Sequence, residues 1–250
     1  MKNNEAGVTL VELLVAIALA GIVSTVIYTA YQVQMKVYQD EDDVVQMQQN
    51  IRSALAFLQA ETRMAGYNLG GETSDKSCSA NPATGSSMAP GIHTATVNTL
   101  GFSMDLNGDG DCADDGENVL YQLHTSGGIQ KLGRDDLTDA QPQQSIADYI
   151  ETMEFIYAFA PPRKGSPVVN APTSSPASAK FEDLRSVVVS LLVRAEAPDT
   201  RIKQPTSYSL PTVNAWGEIK STGGTVVTVA DDKVRRRALS TMINFRNMGL

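Results

Sequence analysis

The sequence predicts an α+β fold, with one long helix in front and an antiparallel β-rich body behind it. Three observations carry this. No proline occurs before Pro82, and no glycine but Gly21 lies between Gly7 and Gly66, so nothing interrupts a helix there. Runs rich in valine, isoleucine and aromatic residues crowd the second half of the chain. Turns and irregular loops, not helical patterns, join those runs, which suits antiparallel strands and not parallel ones.

The helix begins with residues 8–31, an apolar run of about 24 residues against the roughly 20 needed to cross a bilayer core. A secretory signal has a shorter apolar stretch with a small-residue cut site behind it. Here the small residue, Gly7, stands in front, so the apolar segment is retained. Lys2 and the amino terminus, with Glu5 opposing them, leave a small positive charge on the leader, 1–7, and place it on the cytoplasmic side of the inner membrane. The body, in the periplasm, then lies beyond that membrane. Glu12 is the single carboxylate in the apolar run. An acid in that setting is costly and calls for a positive partner, brought by another copy or another subunit.

Residues 32–66 form the second half of the helix. After the polar turn Gln39-Asp40-Glu41-Asp42-Asp43, apolar residues recur at Val44, Met47, Ile51, Leu55, Leu58 and Met64/Ala65. Spacings of three and four put them on one face. The front half, apolar all round, suits lipid or neighbouring helices; the back half suits a globular surface. Gly66 is the expected stop.

The body, 67–250, opens with a Ser/Gly/Thr/Pro-rich loop over 70–91. Strands are expected at 96–104, 118–124, 128–132, 150–159, 184–194, 225–230 and 234–247, with exposed loops at 161–179 and 198–211. Arg235, Arg236 and Arg237 read as a solvated edge strand guarded by charge. Trp216 reads as local packing, and His93 and His124 as surface or strand residues.

With 42% hydrophobic residues the chain can bury a core, and its net charge of -8 argues against a nucleic-acid binder. It holds no phosphate-cradling glycine-rich loop, no H-E-x-x-H and no nucleophile elbow, hence no catalytic constellation. Cys78 and Cys112 are enough for one bridge in an oxidising compartment; two separate thiols are the other reading.

A second dense signal runs from Asp105 through Asn107, Asp109, Gly110, Asp111 and Asp114 to Glu117. Oxygen ligands at alternate positions followed by glycine open a Ca²⁺ loop, because a curled loop turns every second side chain inward. The closing glutamate falls one residue late, at Glu117 instead of Gly116. Asp111, Asp114 or Glu117 would have to complete a non-standard cage. The other reading is a polar turn between strands, since Asn-Gly and Asp-Gly favour hairpins.

The hexapeptide Gly7-Val8-Thr9-Leu10-Val11-Glu12 closely resembles the class III signal of type IV pilins and type II secretion pseudopilins. The resemblance implies that a prepilin peptidase cuts between Gly7 and Val8 and that the new amino terminus, Val8, is methylated. It also implies that Glu12 neutralises the amino terminus of a neighbouring subunit in a filament. Leu58-Gln59-Ala60-Glu61-Thr62-Arg63-Met64-Ala65-Gly66-Tyr67 looks like the helix end of PilW-type minor pilins. Residues 150–157, residues 185–194 and the closing Arg235-Arg236-Arg237 with Asn244-Phe245-Arg246-Asn247 look like the same subclass. J-type pseudopilins share the layout. The implied architecture is the pilin fold.

The expected function is a minor pilin that primes assembly by helix bundling. Its expected partners are the prepilin peptidase, other minor and major pilins, the inner-membrane assembly platform and, before assembly, the membrane itself. Two other readings stand beside it: a type II secretion minor pseudopilin, and a membrane-anchored Ca²⁺-dependent binding module that does not polymerise.

Overall fold

The structure is a computed structural model that describes residues 8–69, 91–138, 142–159, 181, 183–198, 205–213, 219–220, 225–230 and 232–248. Residues 1–7 with Gly7, Cys78, Trp216 and most of the expected loops at 70–91 and 161–179 lie outside the described residues. The chain divides into two compact units, Met1–Val45 and Gln46–Leu250. A single helix, α1 (Leu10–Thr62), supplies residues to both.

In the first unit residues 8–39 are all exposed. α1 is long and apolar enough to cross a membrane. Two of its hydroxyls are satisfied inside the helix: Thr25 Oγ1 donates to the Gly21 carbonyl at 2.9 Å and Thr29 Oγ1 to the Val26 carbonyl at 2.8 Å. A hydroxyl bonded to its own helix carries little penalty in an apolar medium.

In the second unit α1 buries Met47, Ile51, Ala54, Leu55, Leu58 and Thr62, the one-sided stripe that the spacing predicts. The helix stops at Thr62, short of the expected Ala65. From there three-residue turns take over: the Met64 N–H bonds to the Glu61 carbonyl at 2.8 Å and the Ala65 N–H to the Thr62 carbonyl at 3.3 Å. Gly66, at φ 75°, then turns the chain so that its N–H reaches the Ser103 carbonyl at 3.0 Å.

Five strands follow as an antiparallel meander: β1 (Ile92–Ala95), β2 (Thr99–Ser103), β3 (Asn118–Ser126), β4 (Ile129–Asp136) and β5 (Gln144–Asp148), paired in that order. Gly127 and Gly128, at φ 63° and 77°, make the two-residue turn between β3 and β4, where only positive φ matches the strand twist. A second sheet takes β6 (Ile150–Phe159), β7 (Leu184–Pro198) and, from the chain end, β12 (Val234–Asn244), with β7 central and all pairs antiparallel. Two small pairs complete the body, β8 (Ser207–Ser209) with β11 (Val226–Thr228) and β9 (Thr212–Val213) with β10 (Ile219–Lys220).

The core gathers the helix stripe with Leu100, Phe102, Val119 and Tyr121 from the meander and Phe155, Tyr157, Val189, Leu191 and Ile243 from the second sheet. Phe102 stacks on Tyr121 at 6.2 Å and Phe155 on Tyr157 at 6.3 Å. Burying each side chain of leucine size stabilises the fold by about 2 kcal/mol before entropy is charged. β7 is apolar on both faces; on the far face Val188 meets Ile156 and Met242 in a separate small cluster.

Several expected strands shift. β4 runs on to Asp136 through polar residues, because Arg134 is buried against Glu61 of α1. The expected strand 96–104 is shortened to β2, with the unexpected β1 paired in front of it across a turn, and β5 and β8 are strands in polar segments with too few apolar residues to show a period. The arginine run needs correction. β12 is an edge strand among the described residues, yet Arg236 is buried, its guanidinium bonded to Glu151 at 2.5 and 3.0 Å and to Asp232 at 2.8 Å. Those bonds hold the Asp232 carboxyl down at about 2. Only alternate side chains of a strand share a face, so the exposed Arg237 and the buried Arg236 point apart.

Candidate functional site

Two regions hold the site residues that the sequence singles out. At the helix front, Val8 and Thr9 precede the first helical residue. Thr9 is an N-cap residue and Glu12 sits three positions on, the spacing of a capping box. The geometry follows. The Thr9 N–H and hydroxyl both donate to Glu12 Oε2, at 2.9 and 3.0 Å, and the Glu12 N–H donates back to Thr9 Oγ1 at 3.3 Å. The Thr-x-x-Glu signature lies within the hexapeptide, yet Thr9 is not among the residues that the sequence pattern singles out there.

The acidic loop lies between β2 and β3. Its carboxylates divide into two sets. Asp105 and Glu117 are buried and bonded to main-chain amides. Asp105 accepts from the Gly108 N–H at 2.6 Å and the Gly110 N–H at 3.0 Å. Glu117 accepts from Leu106, Asn107 and Asp114 at 2.8, 3.3 and 3.3 Å. These two acids organise the loop. The other set is Asp109, Asp111 and Asp114, which bring one carboxylate oxygen each within 4.8 Å of the others. The Asn107 amide stands beside them and donates to Asp109 at 3.2 Å and Asp114 at 2.5 Å. Gly108, Gly110 and Gly116 adopt positive φ, which lets the chain curl this tightly. Three convergent hard oxygens with a carboxamide alongside are the donor chemistry of a Ca²⁺ site.

Cys112, within this loop, is fully buried and disulfide-bonded. Cys78 is the chain's other cysteine and lies outside the described residues.

The loop is tied to α1 through a network that the sequence did not reveal. The Gly116 N–H donates to Asp136 at 2.6 Å, Asp136 lies 3.6 Å from Arg134, and Arg134 Nε lies 3.1 Å from both oxygens of Glu61. The Tyr121 hydroxyl also donates to Glu61. Burial first, and then the Glu61 charge, push that phenol far above its ordinary range. No local pattern signals such a set, since Arg134 and its partner Glu61 are 73 positions apart.

His93, on β1, is buried, and burial lowers its pKa. It packs on Gly101, where an added Cβ would come within 2.4 Å of the imidazole. His124, on β3, meets the Ser145 hydroxyl at 3.1 Å. Neither histidine joins a catalytic arrangement among the described residues.

Residues 2–28 match the prokaryotic N-terminal methylation motif. Residues 120–247 match the family described as type IV pilus-assembly protein W. A comparison with curated proteins finds no match. Among solved structures, the chain is similar to a type IV-like pilin from Thermus thermophilus at 10% identity, covering 81% of this chain and 96% of that one with a TM-score of 0.44. Just over half of the sequence thus falls to one family, and the chain belongs to the type IV pilus-assembly protein W family.

Proposed function

We propose that this chain is a minor pilin that helps to prime type IV pilus assembly. The observation that carries the reading is the exposed apolar half of α1, headed by a methylation motif and holding one carboxylate, Glu12. The peptidase removes residues 1–7 by cutting between Gly7 and Val8, and Val8 is methylated. Residues 8–31 span the inner membrane until the subunit is extracted. In the filament they pack against other pilin helices while residues 67–250 stay outside. Glu12 pairs with the amine of a neighbouring subunit and sets the stagger, because an unpaired charge among apolar helices is very costly. The family assignment favours a pilus over a type II secretion piston, and the bridged state of Cys112 suits a body outside the cytoplasm. The bridge would join Cys112 to Cys78.

Two measurements test this. The amino-terminal residue of the mature protein should be N-methylated Val8; an intact Met1 in cells with active peptidase overturns the reading. Purified fibres should contain this chain at low copy by mass spectrometry.

The convergence of Asp109, Asp111 and Asp114 supports a second proposal, that the loop binds Ca²⁺ with Asn107 turning its amide oxygen inward. Titration calorimetry should show uptake by the full chain that Asp111→Ala abolishes. Absence of heat and of any thermal stabilisation would end this proposal alone.

A further inference from the structure

We infer that Thr9 is a positioning residue for Glu12: its capping box holds the carboxylate at the helix front, with one oxygen left for the incoming amine. The inference rests on the proposed pairing of Glu12 with a neighbouring subunit. Three hydrogen bonds support it. Both Thr9 donors meet the same oxygen, Oε2, at 2.9 and 3.0 Å; among the described residues no donor meets Oε1. The third bond returns from the Glu12 N–H to Thr9 Oγ1.

The arrangement solves two problems of a helix that starts in or near lipid. The first N–H groups of any helix lack intrahelical acceptors, and such a group in an apolar medium is expensive. The box satisfies the N–H groups of both Thr9 and Glu12. An ionised carboxylate with no bonds would be costlier still, and the box gives Glu12 two donors before any neighbour arrives. A carboxylate already confined to one place also loses less rotational freedom when a second subunit docks.

The cut site fits this arrangement. Cleavage ahead of Val8 makes Val8 the amine and leaves the Thr9 nitrogen an amide. The donor that meets Glu12 at 2.9 Å is therefore the same group before and after processing. A cut one residue later would turn that donor into the amine itself, so that the same nitrogen would have to serve both the cap and the pairing. Precursor and mature subunit so present Glu12 in one orientation.

The test uses the full-length chain in cells that build the fibre, scored as fibre-incorporated subunit per processed subunit. Thr9→Val keeps the shape and removes the hydroxyl. It should lower incorporation by about fivefold, the effect of one lost cap. Thr9→Ser restores the hydroxyl and should return incorporation to within about twofold of the parent, since serine caps as well as threonine. Parental incorporation of Thr9→Val overturns the inference. So does a Thr9→Ser defect as deep as that of Thr9→Val, which would mean that side-chain bulk matters and not the hydrogen bonds. A Thr9→Val defect that vanishes once cleavage is accounted for overturns it too, by assigning the effect to the peptidase. Glu12→Gln keeps the box geometry and removes the charge. If it assembles as the parent does, the pairing reading itself fails, an outcome distinct from failure of the Thr9 variants alone.

Discussion

One helix follows two rules. Between Leu10 and Tyr31 its residues are nearly all apolar and all exposed, and their order on the helix shows no one-sided stripe. From Gln46 to Thr62 the apolar residues stand at spacings of three and four, and six positions are buried in a body core. The difference teaches that a helix can carry two kinds of information. Its front half is set by composition alone; its back half records the surface on which it lies.

The largest effect expected from this comparison is at Glu12. Glu12→Ala should abolish incorporation into fibres while leaving the thermal unfolding of the body unchanged. Assembly at the parental level would break the contrast, by making the charge in the front half irrelevant. Next comes a matched pair of truncations. Leu58→Ala, at a fully buried position, should cost the body about 2–5 kcal/mol in urea unfolding. Ile17→Ala, fully within the exposed front half, should leave that value within about 0.5 kcal/mol. Equal losses would show that the two halves are not governed by separate rules.

Smaller, but specific to the back half, is the link at Glu61. Glu61→Gln should destabilise the body by about 2 kcal/mol, below the range for a fully buried pair because Glu61 is partly exposed. Arg134→Met in the same background should then add less than it does alone, and strict additivity in the double-mutant cycle would deny the coupling. The smallest expected effect is on pH dependence. Burial holds the His93 imidazole below its ordinary 6.5. The unfolded chain therefore takes up a proton near pH 6.5 that the folded chain resists. The contribution is fully present above that pH and is lost as pH falls below it, by at most about 1.4 kcal/mol per unit. His93→Gln should flatten this slope between pH 7 and 5; an unchanged slope would assign it elsewhere.

Local signals were legible and distant ones were not. The hexapeptide at 7–12, the helix stripe from Met47 to Leu58 and the apolar runs of β6 and β7 lie within windows of a few residues, where period and composition speak directly. β5 and β8 escaped because residues such as Gln144, Ser145, Ser207 and Ser209 carry no apolar period, and their pairing depends on strands already in place. In the acidic loop the alternation was visible, but the division of labour was not. Asp105 and Glu117 read as ligands in the sequence; their amide bonds depend on a fold that turns Gly108, Gly110 and Gly116 to positive φ. Arg236 looked like a surface charge because its partner Glu151 is 85 positions away.

The bond from Arg134 Nε to both oxygens of Glu61 has a mechanical consequence. Apolar side chains alone would tolerate a helix sliding by a turn, since one leucine can take the place of another. A guanidinium gripping one carboxylate admits a single seat, so when α1 is tugged lengthwise the load passes into β4 as a fixed joint and not as a slipping one.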